Sequence, residues 1–281
     1  GDVYKRQVAL IGWISGMTGV GYVFTGYFGG VVGWTMSQTE QILMTIAVVA
    51  VCVLINIYGV RFATTVNNIG VSLELLITVG ATIVIAVIAL LIRDDHQPLS
   101  VLFTGGTQGD HDTYMAAWLA AALGPFFGLL GVEAGADVAE ETKQARHVVP
   151  RTMFYALATS IVIELAMYIV YVLAIRDTAS LESATVSPIE EILDQQVGSV
   201  ATKIIIAIAL TNILACLLAN MLVATRLTYS MARDNMLPFS GILRRVSPTR
   251  QTPMYAVVAL GLLSAVLLMS AEAAERLLSL I

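Results

Sequence analysis

An all-α polytopic membrane protein is predicted by three features of the 281-residue sequence: 57% of its residues are hydrophobic, only 12% are charged, and its mean hydropathy is +0.82. Soluble domains hold about a quarter of their residues as charged groups. Several apolar runs of roughly 18 or more residues are long enough to cross a hydrocarbon core about 30 Å thick as helices. A transmembrane barrel would show short alternating segments instead. Cys52 and Cys216 each lie within an apolar run and behave as small hydrophobes, so they carry no information on redox compartment. The net charge is −5 and no Lys/Arg-rich block interleaves with aromatics, so nucleic-acid binding has no support.

Taken in order, the chain opens on GDVYKRQ, residues 1–7, a polar heptapeptide that lacks an initiator Met and reads as an assembly scar. The last residues, up to Ile281, fall in another apolar stretch, and the chain reads as a fragment. Seven spans are predicted, at about 8–33, 41–60, 69–92, 115–139, 152–175, 199–226 and 254–270. The first is rich in glycine, with Gly12, Gly16, Gly19, Gly21, Gly26, Gly29, Gly30 and Gly33, which reads first as a tight packing face. Between the second and third, 59-GVRFATTVNN-68 reads as a short amphipathic helix on the inner surface. Between the fifth and sixth, 187-SPIEEILDQQVG-198 offers Ser187 as N-cap, Pro188 at the first helical position, Glu190 at the third and Gly198 as a stop. That pattern predicts an outer surface helix, which is either a plain covering or a lid over a substrate path.

Orientation follows from the loops. With the N-terminal end inside, Lys5, Arg6, Arg61, Lys143, Arg146, Arg151, Arg226, Arg233, Arg244, Arg245 and Arg250 are cytoplasmic, against Arg93, Arg176, Lys203 and Arg276 outside. Eleven basic residues against four select this topology by the positive-inside rule.

Four acids, Glu74, Glu133, Asp137 and Glu164, fall within apolar spans. A carboxylate at a helix centre costs about 2.5–3.5 kcal/mol on insertion scales, so each should face a partner, a cavity or the interface. Glu133 and Asp137 are four apart and share a helix face. Asp137, Glu140 and Glu141 lie near the inner end of their span, where Lys143 and Arg146 give a plain solvated reading. The same span carries Pro125, Gly128 and Gly131, which weaken a helix by a lost amide and by about 1 kcal/mol per glycine. Two readings remain open: close packing through Gly128, Gly131 and Gly135, or a discontinuous helix whose freed backbone groups line a cavity and bind substrate or ion.

The string 127-FGLLGVEAGADVAEETKQARHVVPR-151 resembles the sixth helix and following loop of the amino acid-polyamine-organocation (APC) permeases. A second string, 225-TRLTYSMARDNMLP-238, followed by Ser247, Pro248, Thr252 and Pro253, is similar to their eighth helix and the loop into the ninth. A third, 56-NIYGVRFATTVNN-68, resembles the end of their fourth helix. Three motifs in order make the seven spans the third to ninth helices of a twelve-helix permease, with residues 8–281 a partial transporter domain of LeuT-like inverted-repeat fold. The resemblance implies a secondary transporter for amino acids or related amines in the cytoplasmic membrane, working by alternating access. It implies substrate contacts at Phe127, Gly128, Leu129, Leu130 and Gly131, with Phe127 as an aromatic gate, and selectivity from Tyr22 and Asn220. Glu133 and Glu74 are the implied gating or ion-coupling groups, with the ion, H+ or Na+, left open. A lysine stands near the place of Glu74 in some proton-driven members, and Asn235 replaces a more usual Gly, which its tolerance of left-handed backbone allows. The family's first two and last three helices are missing here, so the chain alone is expected neither to bind nor to transport. The partners implied are a small-molecule substrate and the lipid bilayer, with no cofactor, no metal and no catalytic residue. An enzyme has little support, because His96, His111 and His147 read as loop residues and no HExxH or Ser-His-Asp grouping is present. A channel or structural subunit without coupled transport is the remaining alternative.

Overall fold

A computed structural model of the chain describes residues 2–58, 60–93, 96–103, 111–129, 131–137, 139, 142–184, 186–248, 250 and 252–278. Lipid offers no partner to a backbone amide or carbonyl, so a chain this apolar satisfies them within helices. The described residues form α1 (Asp2–Val32), α2 (Gln38–Tyr58), α3 (Val60–Val87), α4 (His111–Gly128), α5 (Ala134–Asp137), α6 (Ala145–Leu173), α7 (Thr178–Ser183), α8 (Pro188–Val197), α9 (Ser199–Arg233), α10 (Ser240–Leu243) and α11 (Met254–Leu278), with no strand among them. Six of these helices are long and apolar enough to cross a membrane. The predicted crossing at 115–139 is divided between α4 and α5, and its described apolar stretch, Tyr114–Phe126, is shorter than those six.

Two compact units are present, one comprising Gly1–Glu74 with Ile206–Ile281 and the other Leu75–Ile205. In the first, α1, α2, α11 and the C-terminal half of α9 enclose a core of Met17, Val49, Cys52, Leu217, Met221 and Leu260, each almost fully buried. The glycine-rich α1 packs closely through part of its length. Gly21 lies against Thr45 and Val49, and Gly29 against the Trp34 carbonyl, whereas Gly12, Gly16 and Gly19 meet nothing. The expected packing face is therefore the C-terminal half of α1. Ser37 and Glu40 form a capping box at the start of α2, the Glu40 carboxylate accepting from both the amide and the hydroxyl of Ser37 at 2.8 Å.

Several hydroxyls in the spans bond back to their own helix. Thr18 donates to the Ile14 carbonyl, Thr45 to Gln41, Thr82 to Thr78, Thr225 to Met221 and Thr228 to Ala224, all at 2.6–2.7 Å. Thr25 and Thr45 also share a buried 3.1 Å hydrogen bond between α1 and α2. At the N-terminal end of α1, Arg6 pairs with Asp234 after α9 at 3.0 Å, and Arg250 lies 4.7 Å over the Tyr58 ring.

Several elements differ from the sequence reading. α1 begins at Asp2, so residues 2–7 are continuous with the first helix. The segment after Gly59 is the first part of α3 rather than a separate surface helix, since no proline stands between Val60 and Val87. α6 starts at Ala145, seven residues before the predicted 152, and carries Pro150 inside it, where the Arg146 carbonyl goes without its helical donor. His111 and His147 accordingly lie in the first turns of α4 and α6 rather than in loops. Asn235 has φ 54°, and Met236 N–H reaches back to the Met231 carbonyl at 2.9 Å, which closes α9 in the left-handed turn expected of it.

Candidate functional site

The interruption between α4 and α5 is built by three kinds of residue. Pro125 has no amide to give the Ala121 carbonyl, and the bond from Leu129 N–H to the Pro125 carbonyl is stretched to 3.3 Å. Gly131 has φ +97°, a conformation L side chains rarely adopt. Its amide, which a continuous helix would hand to the Phe127 carbonyl, donates instead to Glu133 Oε2 at 3.0 Å. The chain turns helical again when Ala134 N–H bonds the Gly131 carbonyl at 3.0 Å and Ala136 N–H the Glu133 carbonyl at 2.8 Å.

The three glycines that admitted a packing reading serve three different ends. Gly135 packs on α6, where an added Cβ would lie 3.0 Å from Met153 Cγ. Gly131 has open space around it and is needed for its backbone angle. Gly128 leaves room for the Glu164 carboxylate, since an added Cβ would stand 2.6 Å from Glu164 Oε1. Beside the break lies a hollow of about 380 Å³, bounded by Gly131, Val132 and Gly135 on one side and by Val149, Thr152 and Met153 of α6 on the other. Its lining is mostly apolar.

Of the sequence-predicted residues, Gly128, Leu129, Gly131 and Glu133 meet at this break in the second unit. Leu130 lies outside the described residues, as do the side chains of Phe127 and Asp137. Glu133 is exposed and holds the turn through its bond to the Gly131 amide. Tyr22, Glu74 and Asn220 belong to the first unit. Tyr22 is half-buried on α1, and its carbonyl accepts from Gln41 Nε2 at 3.2 Å. Glu74 lies near the Asn212 side chain, at a point where Gly70 lets α3 approach Ala215 of α9. Asn220 Nδ2 points to Cys216 Sγ at 3.8 Å. Asn212 was not singled out from the sequence; the available signal is the i, i+4, i+8 row of Asn212, Cys216 and Asn220 along one face of an apolar helix.

The outer segment in the second unit is organised around Gln195. Its Oε1 accepts from the Arg176 amide at 3.1 Å, its Nε2 donates to Ser180 Oγ at 2.7 Å and to Glu191 Oε1 at 3.2 Å, and its carbonyl accepts from Arg93 and Arg176 Nη1 at 3.2 and 3.1 Å. Gln196 Nε2 ties α8 to the Ala174 carbonyl at 2.6 Å, and Gly198, with φ +80°, separates α8 from α9. Partial burial, reinforced by the charge of Asp194 and opposed by Lys203, raises the Glu190 carboxyl above the usual carboxylate range. A raised folded-state value means that docking of α8 is weakest when Glu190 is charged and strengthens as pH falls through that raised value. Hydrogen exchange in α8 is expected to slow modestly on that acidification, since Glu190 is partly solvated, and Glu190→Gln is expected to remove this pH dependence.

The fold and the interrupted crossing define a multi-pass α-helical membrane protein. The family described as Amino acid permease matches residues 8–281. The chain belongs to the amino acid permease family, which is made up of transporters rather than enzymes, in keeping with its resemblance to the APC permeases. It is 27% identical over 243 residues to the serine/threonine exchanger SteT of Bacillus subtilis, covering 85% of this chain and 51% of the exchanger. It is also 27% identical over 212 residues to the branched-chain amino acid permease BcaP of the same organism, covering 74% of this chain and 41% of the permease. A vacuolar relative, cationic amino acid transporter 4 of Arabidopsis thaliana, is 28% identical over 157 residues, 56% of this chain and 25% of that protein. The chain thus spans about half the length, or less, of the curated relatives it matches.

Proposed function

We propose that the protein is a secondary active transporter that moves amino acids or related amines across the cytoplasmic membrane by alternating access. The observation that carries this reading is the break in a membrane-depth crossing at Gly128 to Glu133, where backbone groups leave the helical ladder. Lipid does not accept such groups, so a discontinuous helix belongs beside a cavity, and in transporters of this architecture such breaks hold the substrate or ion. The contacts are assigned to Phe127, Gly128, Leu129, Leu130 and Gly131, and side-chain selectivity to Tyr22 and Asn220. Glu133 acts as a gating group, because releasing the Gly131 amide frees a donor at the break. Glu74, near Asn212, is the ion-coupling group for H+ or Na+. The names of the two Bacillus relatives, an exchanger of serine and threonine and a permease of branched-chain amino acids, favour neutral amino acids as the substrate class.

The test is competition uptake by the full-length protein in proteoliposomes, against a panel of amino acids and amines, with and without Na+ and a proton gradient. Saturable uptake that collapses with one of the gradients is expected. Equilibration of labelled substrate without saturation or ion dependence would replace the proposal with a channel.

A further inference from the structure

We infer that Glu164 is a binding group for a monovalent cation at the interrupted crossing, a chemistry shared by the ammonium group of a substrate and by an alkali coupling ion. The inference rests on the transport reading above and adds a residue and a charge to its site.

Glu164 lies within the apolar span Ala145–Leu173, half-buried, with its carboxylate set against Gly128, the last residue of α4. Among the described residues that carboxylate takes no hydrogen bond and no ion pair. Tyr168, one turn further along α6, is near enough for its phenol to sense the charge, but offers no cation. The surroundings on the α4 side are also electron-rich. The C-terminal end of a helix carries the negative end of its dipole, and here the Phe127 carbonyl has lost its helical donor to Glu133. An intramembrane carboxylate facing the carbonyl end of a broken helix is a set of acceptors lacking a positive charge, and an unpaired acid at this depth marks a functional partner. A Cβ added at position 128 would stand 2.6 Å from Oε1, so a side chain there would displace the carboxylate from the end of α4.

The experiment compares the wild-type full-length protein with Glu164→Gln and Glu164→Asp in proteoliposomes, measuring KM for a labelled neutral amino acid and the Na+ concentration for half-maximal uptake. A rise of about tenfold or more in KM for Glu164→Gln, at unchanged Na+ dependence, assigns the site to the substrate ammonium. A similar rise in the Na+ requirement, at unchanged KM, assigns it to the coupling ion. Glu164→Asp keeps the charge and should fall between wild type and the Gln variant. Both constants within twofold of wild type, a change confined to the pH profile, or equal defects in the Asp and Gln variants would overturn the inference. If the Gln variant does not insert, carbodiimide labelling of Glu164 in wild-type protein, read by peptide mass, decides: protection by saturating amino acid or Na+ supports the site, and labelling unchanged by either overturns it. Absence of saturable uptake by wild type would sink the transport reading alone, and the labelling arm would still judge Glu164.

Discussion

Replacing Gly131 with valine in the full-length protein is expected to reduce uptake to background while leaving membrane insertion intact. Space is not the obstacle, because an added Cβ at this position would meet nothing within 4 Å. The obstacle is the backbone: φ of +97° is open to glycine and strained for a β-branched residue, at about 1–3 kcal/mol. The valine chain relieves that strain by moving toward a regular helix, which would return the Gly131 amide to the Phe127 carbonyl and take it from Glu133. The interrupted geometry would then fall to roughly one molecule in ten or one in a hundred, before any loss of substrate contact. Gly124 is the control, since it also has open space but lies inside α4; Gly124→Ala is expected to transport normally. Labelled uptake, with folded yield by size-exclusion chromatography, reads both effects, and wild-type uptake by the Gly131 variant would remove the break from the mechanism.

Gly70→Leu is expected to produce the largest loss of stability. An added Cβ at Gly70 would collide with Ala215 Cβ, with the Thr211 carbonyl only 3.7 Å away. Both partners belong to α9, and neither a helix backbone nor an alanine methyl can swing aside. Overpacking of this kind costs about 1–3 kcal/mol when the helices can part. Folded yield should fall sharply and the thermal midpoint with it. Gly80→Leu, on the same helix but with nothing within 4 Å, should behave as wild type. Equal thermal midpoints for the two variants would rule out a close α3–α9 contact at Gly70.

What the sequence made legible was local. Pro125, Gly128 and Gly131 mark the break because each acts on its own backbone; Ser187, Pro188 and Gly198 mark α8 for the same reason, and Asn235 its turn. What it concealed depended on partners far along the chain. That Gly128 makes room for Glu164, 36 positions later, is a property of how α4 meets α6, and no periodicity records it. The same holds for Asn212, which looks like one more polar residue in a helix until Gly70 brings α3 against it. Helix ends were misjudged where the cue was weak: Pro150 near the start of α6 looks like a boundary yet is tolerated there, and the polar run before Ile69 looks like a loop helix yet simply extends α3.

The threonines that bond to their own carbonyls bear on how this molecule should be probed. A hydroxyl folded back in this way presents a methyl to its surroundings and little else, so such side chains are chemically quiet in oil. Counting polar letters in the spans therefore overstates the surface that water or cargo can use. Groups too long or too highly charged to be silenced by their own helix, such as Glu74, Asn212 and Glu164, are where a substitution scan has most to find.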